Sequence, residues 1–307
     1  MPSTKRCILL KNAFNNEIGF SATAAARPLL PQKRERIGGL DVLRGLCVLL
    51  MVLDHLAFDI MWLPWFCNNY NLVPENALSR LSDWVTYSYW DANWRIAVRL
   101  PVIATFFIIS GICTSFSKNN GMRGIKLLLA SLVLSLATFA ADDLFDAGLS
   151  ILFGVLHCFT VAVFIFVLLD FLLKDKSKYA CLGLGFLLMI WGMLIHFYEL
   201  PETREFILAE HELNFKNILR VIGGFAYFGG DCFGLVPYAG FFLVGVYGGK
   251  ALYENRKRAY LPLFNTKPFA PVRFIGRNAL WAYLLHQPLV LGIVALIAMR
   301  YGYSFGF

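Results

Sequence analysis

Charge is what this sequence is short of. Asp, Glu, Lys and Arg make up 16% of it, where a soluble domain carries about a quarter. The shortage is concentrated, and several stretches of about 18 residues or more hold almost no charge, enough to cross a hydrocarbon core of roughly 30 Å. The buried helices of a soluble core would break such runs with polar positions at helical period. A soluble fold is excluded. Several chemistries are missing too. The seven cysteines, at 7, 47, 67, 113, 158, 181 and 232, form no Cys-x-x-Cys pair and no zinc-type spacing. Most lie in apolar runs, where a thiol acts as a small hydrophobe. No His-Glu-x-x-His, no nucleophile elbow and no phosphate-cradling glycine loop is present, so no metal is expected. Internal repeats and low-complexity tracts are absent. Residues 1–36 do not read as a signal peptide, since Lys5 and Arg6 precede only Cys7 to Leu10 before Lys11 interrupts. They are expected to form a mobile basic arm ahead of one transmembrane domain over 37–307.

What is there is apolar: 58% of residues, with a mean hydropathy of +0.60. The pattern predicts an all-α, polytopic transmembrane bundle with helices at about 40–63, 98–117, 124–141, 150–173, 179–198, 232–252 and 278–299. That makes about seven spans. Residues 215–230 are apolar but broken by Arg220 and four glycines, which leaves a re-entrant or interfacial element, or an eighth crossing. With the N-terminus cytoplasmic, 20 Lys/Arg fall in inner segments and seven in outer ones. The alternation supports N-in, C-out. The net charge of +8 is thereby explained without a nucleic-acid partner. The first outer loop, 64–97, holds Trp65, Tyr70, Trp84, Tyr87, Tyr89, Trp90 and Trp94. It reads as an interfacial aromatic belt or as a stacking platform for a sugar. Cys67 and Cys232 alone sit in or beside outer segments, which leaves a disulfide between them open.

Ionisable groups inside membrane helices are costly and mark function. The first helix has Asp41, Arg44, His55 and Asp59, with Asp54 beside His55. Arg44 and His55 are eleven residues apart, about three helical turns, so they share a face and lie roughly 16 Å apart along the axis. Asp59, one turn further, extends the stripe. A carboxylate, Asp59 or Asp54, would fix the tautomer of His55 and leave its other nitrogen as general base. Arg44 suits a phosphate. The plainer alternative is that Arg44 reaches the inner headgroups and His55 bonds between helices. His157 and His286 also fall in apolar helices, and His286 precedes Pro288 by two residues, where a proline frees a backbone carbonyl beside a cavity. Arg277, with Asn278, echoes Arg44 at the inner end of the last helix. His196 and His211 flank a glutamate-rich outer loop and are read as solvent-titrating.

Leu40-Asp41-Val42-Leu43-Arg44-Gly45-Leu46, with His55 eleven residues after Arg44, resembles the signature of the transmembrane acyltransferase superfamily. Phe106 to Gly111, Gly154-Val155-Leu156-His157, Pro237 to Gly245 and Gly276-Arg277-Asn278 through His286-Gln287-Pro288 follow in order. Together, over residues 36–290, they resemble the bacterial relatives of the heparan-alpha-glucosaminide N-acetyltransferase catalytic domain. The resemblance implies an integral protein of the bacterial cytoplasmic (inner) membrane. It would transfer an acyl group from cytoplasmic acyl-CoA, often acetyl-CoA, to a hydroxyl or amine of a sugar or glycan acceptor on the far side. The essential histidine carries over onto His55 and its companion arginine onto Arg44. The glycosaminoglycan substrate does not carry over, because the remote relatives modify varied sugars. On this reading Arg44, Arg277 and Asn278 hold the nucleotide. His55, oriented by Asp59 or Asp54, deprotonates the acceptor, and His157, His286 or Asn278 donates to the oxyanion. A covalent acyl-histidine is the variant mechanism. Membrane lipid is the surrounding partner, and a homodimer is left open. The rival readings are a transporter or flippase for a sugar or lipid-linked substrate, and a non-catalytic scaffold.

Overall fold

The computed structural model describes residues 37–145, 148–197, 208, 212–252, 264 and 266–305. The arm expected over 1–36, His211 and most of the basic loop before Lys267 lie outside the described residues, as does the side chain of His196. Among the described residues the structure is helical throughout, and the only extended pairings are isolated bridges between Cys67 and Phe305 and between Ile151 and Gly229.

The first helix, α1 (Gly38–Met61), places Asp41 in its first turn, where a carboxylate meets the positive end of the helix dipole. It stops at Trp62, ahead of Pro64 in the short turn Leu63–Phe66. A capped helix, α2 (Ala77–Trp84), runs into a wide π-type turn over Val85–Trp90. Then come α3 (Asn93–Ser115), α4 (Asn120–Phe145), α5 (Val155–Leu173) and α6 (Ser177–Phe197). A short α7 (Phe215–Gly223) precedes α8 (Tyr238–Leu252), α9 (Ala270–Arg277) and α10 (Ala279–Arg300).

Among the described residues four helical stretches are long and apolar enough to cross a membrane: Asn93–Ser115, Asn120–Leu144, Val155–Leu194 and Ala279–Arg300. The third is 40 residues long and would be a rod of about 60 Å if straight. It is not straight. Lys174 takes a positive φ of 47°, a conformation that ends an α-helix, and the chain folds back so that α5 and α6 pack together. Although α1 has 24 residues, about 36 Å, every 18-residue window of it contains three of Asp41, Arg44, Asp54 and Asp59. The charged stripe that suggests function is what lowers its apolar score. Nine residues of α7 span about 14 Å, so the 215–230 segment makes no crossing.

Two close helix contacts organise the bundle. A Cβ on Gly111 would strike the backbone oxygen of Phe242, and one on Gly245 would strike that of Ile108, so α3 and α8 meet backbone to backbone, as small residues permit in membranes. The Phe106–Gly111 and Pro237–Gly245 stretches quoted above are therefore one contact. In the same way Gly45 abuts the Val272 carbonyl and Gly276 that of Asp41, locking α1 to α9. The aromatic core between α3, α5 and α8 is Phe107 stacked on Phe159 at 4.1 Å, with Phe242 edge-on. The thiols of Cys67 and Cys232 are both free, so the disulfide left open from sequence is not formed.

Candidate functional site

The site lies where α1 crosses α10. His55 and His286 meet edge to face with ring centroids 4.8 Å apart. Each tautomer is fixed by its own helix. His55 Nδ1 is 2.9 Å from the Met51 carbonyl and His286 Nδ1 is 2.6 Å from the Tyr283 carbonyl. A carbonyl oxygen only accepts, so both Nδ1 atoms carry a hydrogen, and it is the neutral form of each ring that presents a lone pair at Nε2. The buried His286 Nε2 has no hydrogen-bond partner among the described residues. His55 is half-buried at the seam, and neither of its contacts occupies Nε2.

One turn further out, Gln287 Nε2 donates to Asp59 Oδ1 at 2.7 Å. Asp59 is 1% exposed, and its Oδ2 and Gln287 Oε1 have no partners among the described residues. Asp59 and His55 thus share the stripe expected of them, but the carboxylate is held across the seam by an amide that composition gave no reason to single out. Asp54 is engaged elsewhere. Its two oxygens take Nε and Nη2 of Arg95 at 2.7 and 2.9 Å, and Tyr89 adds its hydroxyl at 3.0 Å. Arg95 also donates to the Trp90 carbonyl and lies 3.7 Å over that ring, within cation–π reach. Burial, then the Asp54 carboxylate, pushes the Tyr89 phenol up. The aromatic loop is therefore clamped to α1 by a charge pair directly beside His55.

Tyr283 extends the cluster. Its hydroxyl donates to Asp231 Oδ2 at 2.7 Å, and its ring lies 5.7 Å from that of His286. Gly154, ahead of α5, packs against this carboxyl, and a Cβ there would stand 2.6 Å from Oδ2. Burial raises the proton affinity of Asp231, and the Tyr283 hydroxyl pulls it back. Sequence reasoning passed over Asp231, although a carboxylate between Gly230 and Cys232 at the mouth of an apolar run is the signal that would find it.

At the other end of the stripe Arg44 Nη1 reaches the Gly276 carbonyl at 3.4 Å, and its buried Nη2 has no partner among the described residues. Arg123 of α4 lies close enough for the two guanidiniums to act on each other. Among the described residues neither pairs with a carboxylate. Arg277 Nε is bonded to Asp41 at 3.1 Å, and Asn278 Nδ2 is turned back onto the Phe274 carbonyl at 2.9 Å. His157 is not brought to the histidine pair. Its Nδ1 accepts from the Gly154 N–H at 3.3 Å and its Nε2 lies 3.1 Å from Ser135 Oγ, closing the start of α5 onto α4.

Apolar helices around a seam of buried acid and imidazole side chains define an integral membrane protein. The chain belongs to the family of the heparan-alpha-glucosaminide N-acetyltransferase catalytic domain, whose family model matches residues 77–288. It is a membrane acetyltransferase by that membership. The matched span contains Asp231, Tyr283, His286 and Gln287; Arg44 and His55 lie ahead of it. No curated protein and no solved structure matches the chain.

Proposed function

We propose that this protein transfers an acetyl group from cytoplasmic acetyl-CoA to a hydroxyl or amine of a sugar or glycan acceptor on the opposite side of the membrane. The observation that carries the reading is His55, whose Nε2 makes no hydrogen bond among the described residues, on a helix whose other end offers an Arg44 Nη2 with no partner among them. The cation end suits phosphate, and Arg44 Nη2 has a hydrogen-bond capacity that no described residue fills. Arg123 and the exposed side of Arg277 would add charge around the nucleotide. The pantetheine arm would then run along α1 to the seam, about three turns away.

There His55 Nε2 takes the proton of the acceptor as the acceptor oxygen or nitrogen attacks the thioester carbonyl. The carbon–sulfur bond breaks, and the imidazolium returns that proton to the departing thiolate. Acetylated acceptor and free CoA thiol result. Asp59 and Gln287, with two unfilled acceptor oxygens, and His286 Nε2, a third, would grip donor groups of the acceptor. Asp54 serves by holding the outer aromatic loop through Arg95.

The sidedness rests on charge and on which helix ends meet. Asp41 pairs with Arg277, Arg44 lies by Arg123, and Asp170 holds Lys250 and the Ser177 hydroxyl. All belong to segments placed inside by the lysine and arginine count. Seven crossings over 37–307, N-terminus in, with 1–36 as a basic inner arm in a bacterial cytoplasmic membrane, complete the reading. Purified protein in nanodiscs, given labelled acetyl-CoA and a panel of sugars, should release CoA and label an acceptor. Sugar uptake into proteoliposomes without acetyl-CoA, and no labelled acceptor, would overturn it in favour of transport.

A further inference from the structure

The aromatic outer segment has so far only been clamped in place, with no part in the reaction. Its helix, α2, buries Leu78, Ser82 and Val85 beside the end of α1, where the Ser82 hydroxyl donates to the Ile60 carbonyl at 2.9 Å. Arg80, Trp84, Tyr87 and Asp91 follow at helical spacing, and all four are exposed, as is Asp83. Trp84 is 55% and Tyr87 83% exposed. A helix lying in lipid keeps its charges away from its apolar face. Here charges and aromatic rings share one face, which belongs in water. The rings are also ordered. Tyr89 lies between Trp84 and Trp94, with centroids at 6.1 and 5.5 Å, and its hydroxyl is bonded to Asp54, the residue before His55. Trp90 packs on Phe58 at 5.5 Å, three residues after His55. A belt residue needs only a depth in the bilayer, whereas these rings hold a fixed place beside His55.

We propose that Trp84 and Trp94, held on either side of Tyr89, form a saccharide subsite in which a pyranose ring of the acceptor stacks on an exposed indole. This rests on the acetyltransferase reading above and on its sidedness. A pyranose has a flat C–H face and a rim of hydroxyls. The negative face of an indole attracts the C–H groups, and carboxylates accept from hydroxyls in charge-assisted bonds. Asp83 and Asp91 stand next to the rings to do so. A lipid chain has no use for those carboxylates, and a bare anion would be repelled by them. The π-type turn Val85–Trp90 is of a kind frequent at functional sites, and this one carries Tyr89 to Asp54, so clamp and subsite are one unit. The reacting group of the sugar extends past Asp54 toward His55. The subsite therefore sets which acceptors are held, not how fast the acetyl group moves.

The test uses the full chain in nanodiscs, labelled with 5-fluorotryptophan and followed by fluorine NMR. Trp84→Phe, Trp94→Phe and Trp65→Phe assign the three resonances, and Trp65, 79% exposed in the same outer segment but outside the Tyr89 cluster, is the control. Glucose, glucosamine and cellobiose are added without acetyl-CoA. At least one should shift Trp84 and Trp94 saturably and leave Trp65 unmoved. Trp84→Ala should weaken that binding about tenfold, as loss of an aromatic anchor does. It should raise KM for the same sugar about tenfold with kcat and KM for acetyl-CoA little changed, and Trp84→Phe, which keeps a ring, should recover most of the loss. Trp84 and Trp94 unmoved by all three sugars, or broadened by a spin-labelled lipid more than by a water-soluble gadolinium chelate, overturn the proposal in favour of a belt. Acetyl transfer with an unchanged acceptor KM in Trp84→Ala and Trp94→Ala overturns the subsite alone. A sugar that shifts both indoles of a protein that never acetylates anything leaves the subsite standing and overturns the enzymatic reading instead.

Discussion

At the scale of single residues, spacing along one helix says nothing of the partners its side chains find across the bundle. Helical spacing is enough to put Arg44, His55 and Asp59 on one face. It cannot say that Asp54, next to His55, is turned to Arg95 forty-one residues on, or that the ring facing His55 belongs to α10. Those are long-range contacts set by packing. The split between Asp54 and the seam has a consequence. Asp54→Asn leaves Arg95, 7% exposed, without its counter-charge. Breaking a buried pair this way costs about 3 kcal/mol, so the melting temperature should drop by several degrees. Turnover per folded molecule should stay within a few-fold, measured after size-exclusion selection of intact protein. Arg44→Gln should do the reverse, keeping the melting curve and raising KM for acetyl-CoA about tenfold or more. Acetylpantetheine, which lacks the nucleotide, should be used equally well by both proteins.

At the scale of elements, each predicted span falls on a helix because long uncharged runs have few alternatives in lipid. The boundaries moved where local chemistry intervened. The second span begins earlier, at Asn93, because Arg95 is satisfied by Asp54 and Trp90 and need not remain in solvent. The last helix is preceded by a separate α9, bent away at Asn278. What no periodicity could show is which helices touch. That information lies in glycines whose neighbours are far apart in sequence, as with Gly245 and Ile108. A Gly245→Leu change would force the α3 backbone away from α8, since a carbonyl oxygen cannot rotate aside as a side chain can. Overpacking of this kind costs about 1–3 kcal/mol, and more here because both sides are main chain. Loss of monodisperse protein in detergent is expected, while Gly183→Leu on the open face of α6, where a Cβ meets nothing within 4 Å, should behave as wild type.

At the scale of the whole molecule, the bundle has a direction: cations at one end, acid and imidazole toward the other. In a cysteine-free background, Lys176→Cys should react with a membrane-impermeant maleimide only from the cytoplasmic side, and Asp143→Cys only from outside. Identical labelling of both from one side would reverse or abolish that direction. The measurement that tests the central claim most directly is acetyl transfer by purified protein carrying His55→Ala, compared with wild type at matched folded concentration. The expected result is unaltered acetyl-CoA binding with turnover lost by a factor of about a thousand or more, as befits removal of the group that moves the proton. Full acetyl-CoA-dependent turnover by the His55→Ala protein would contradict the account.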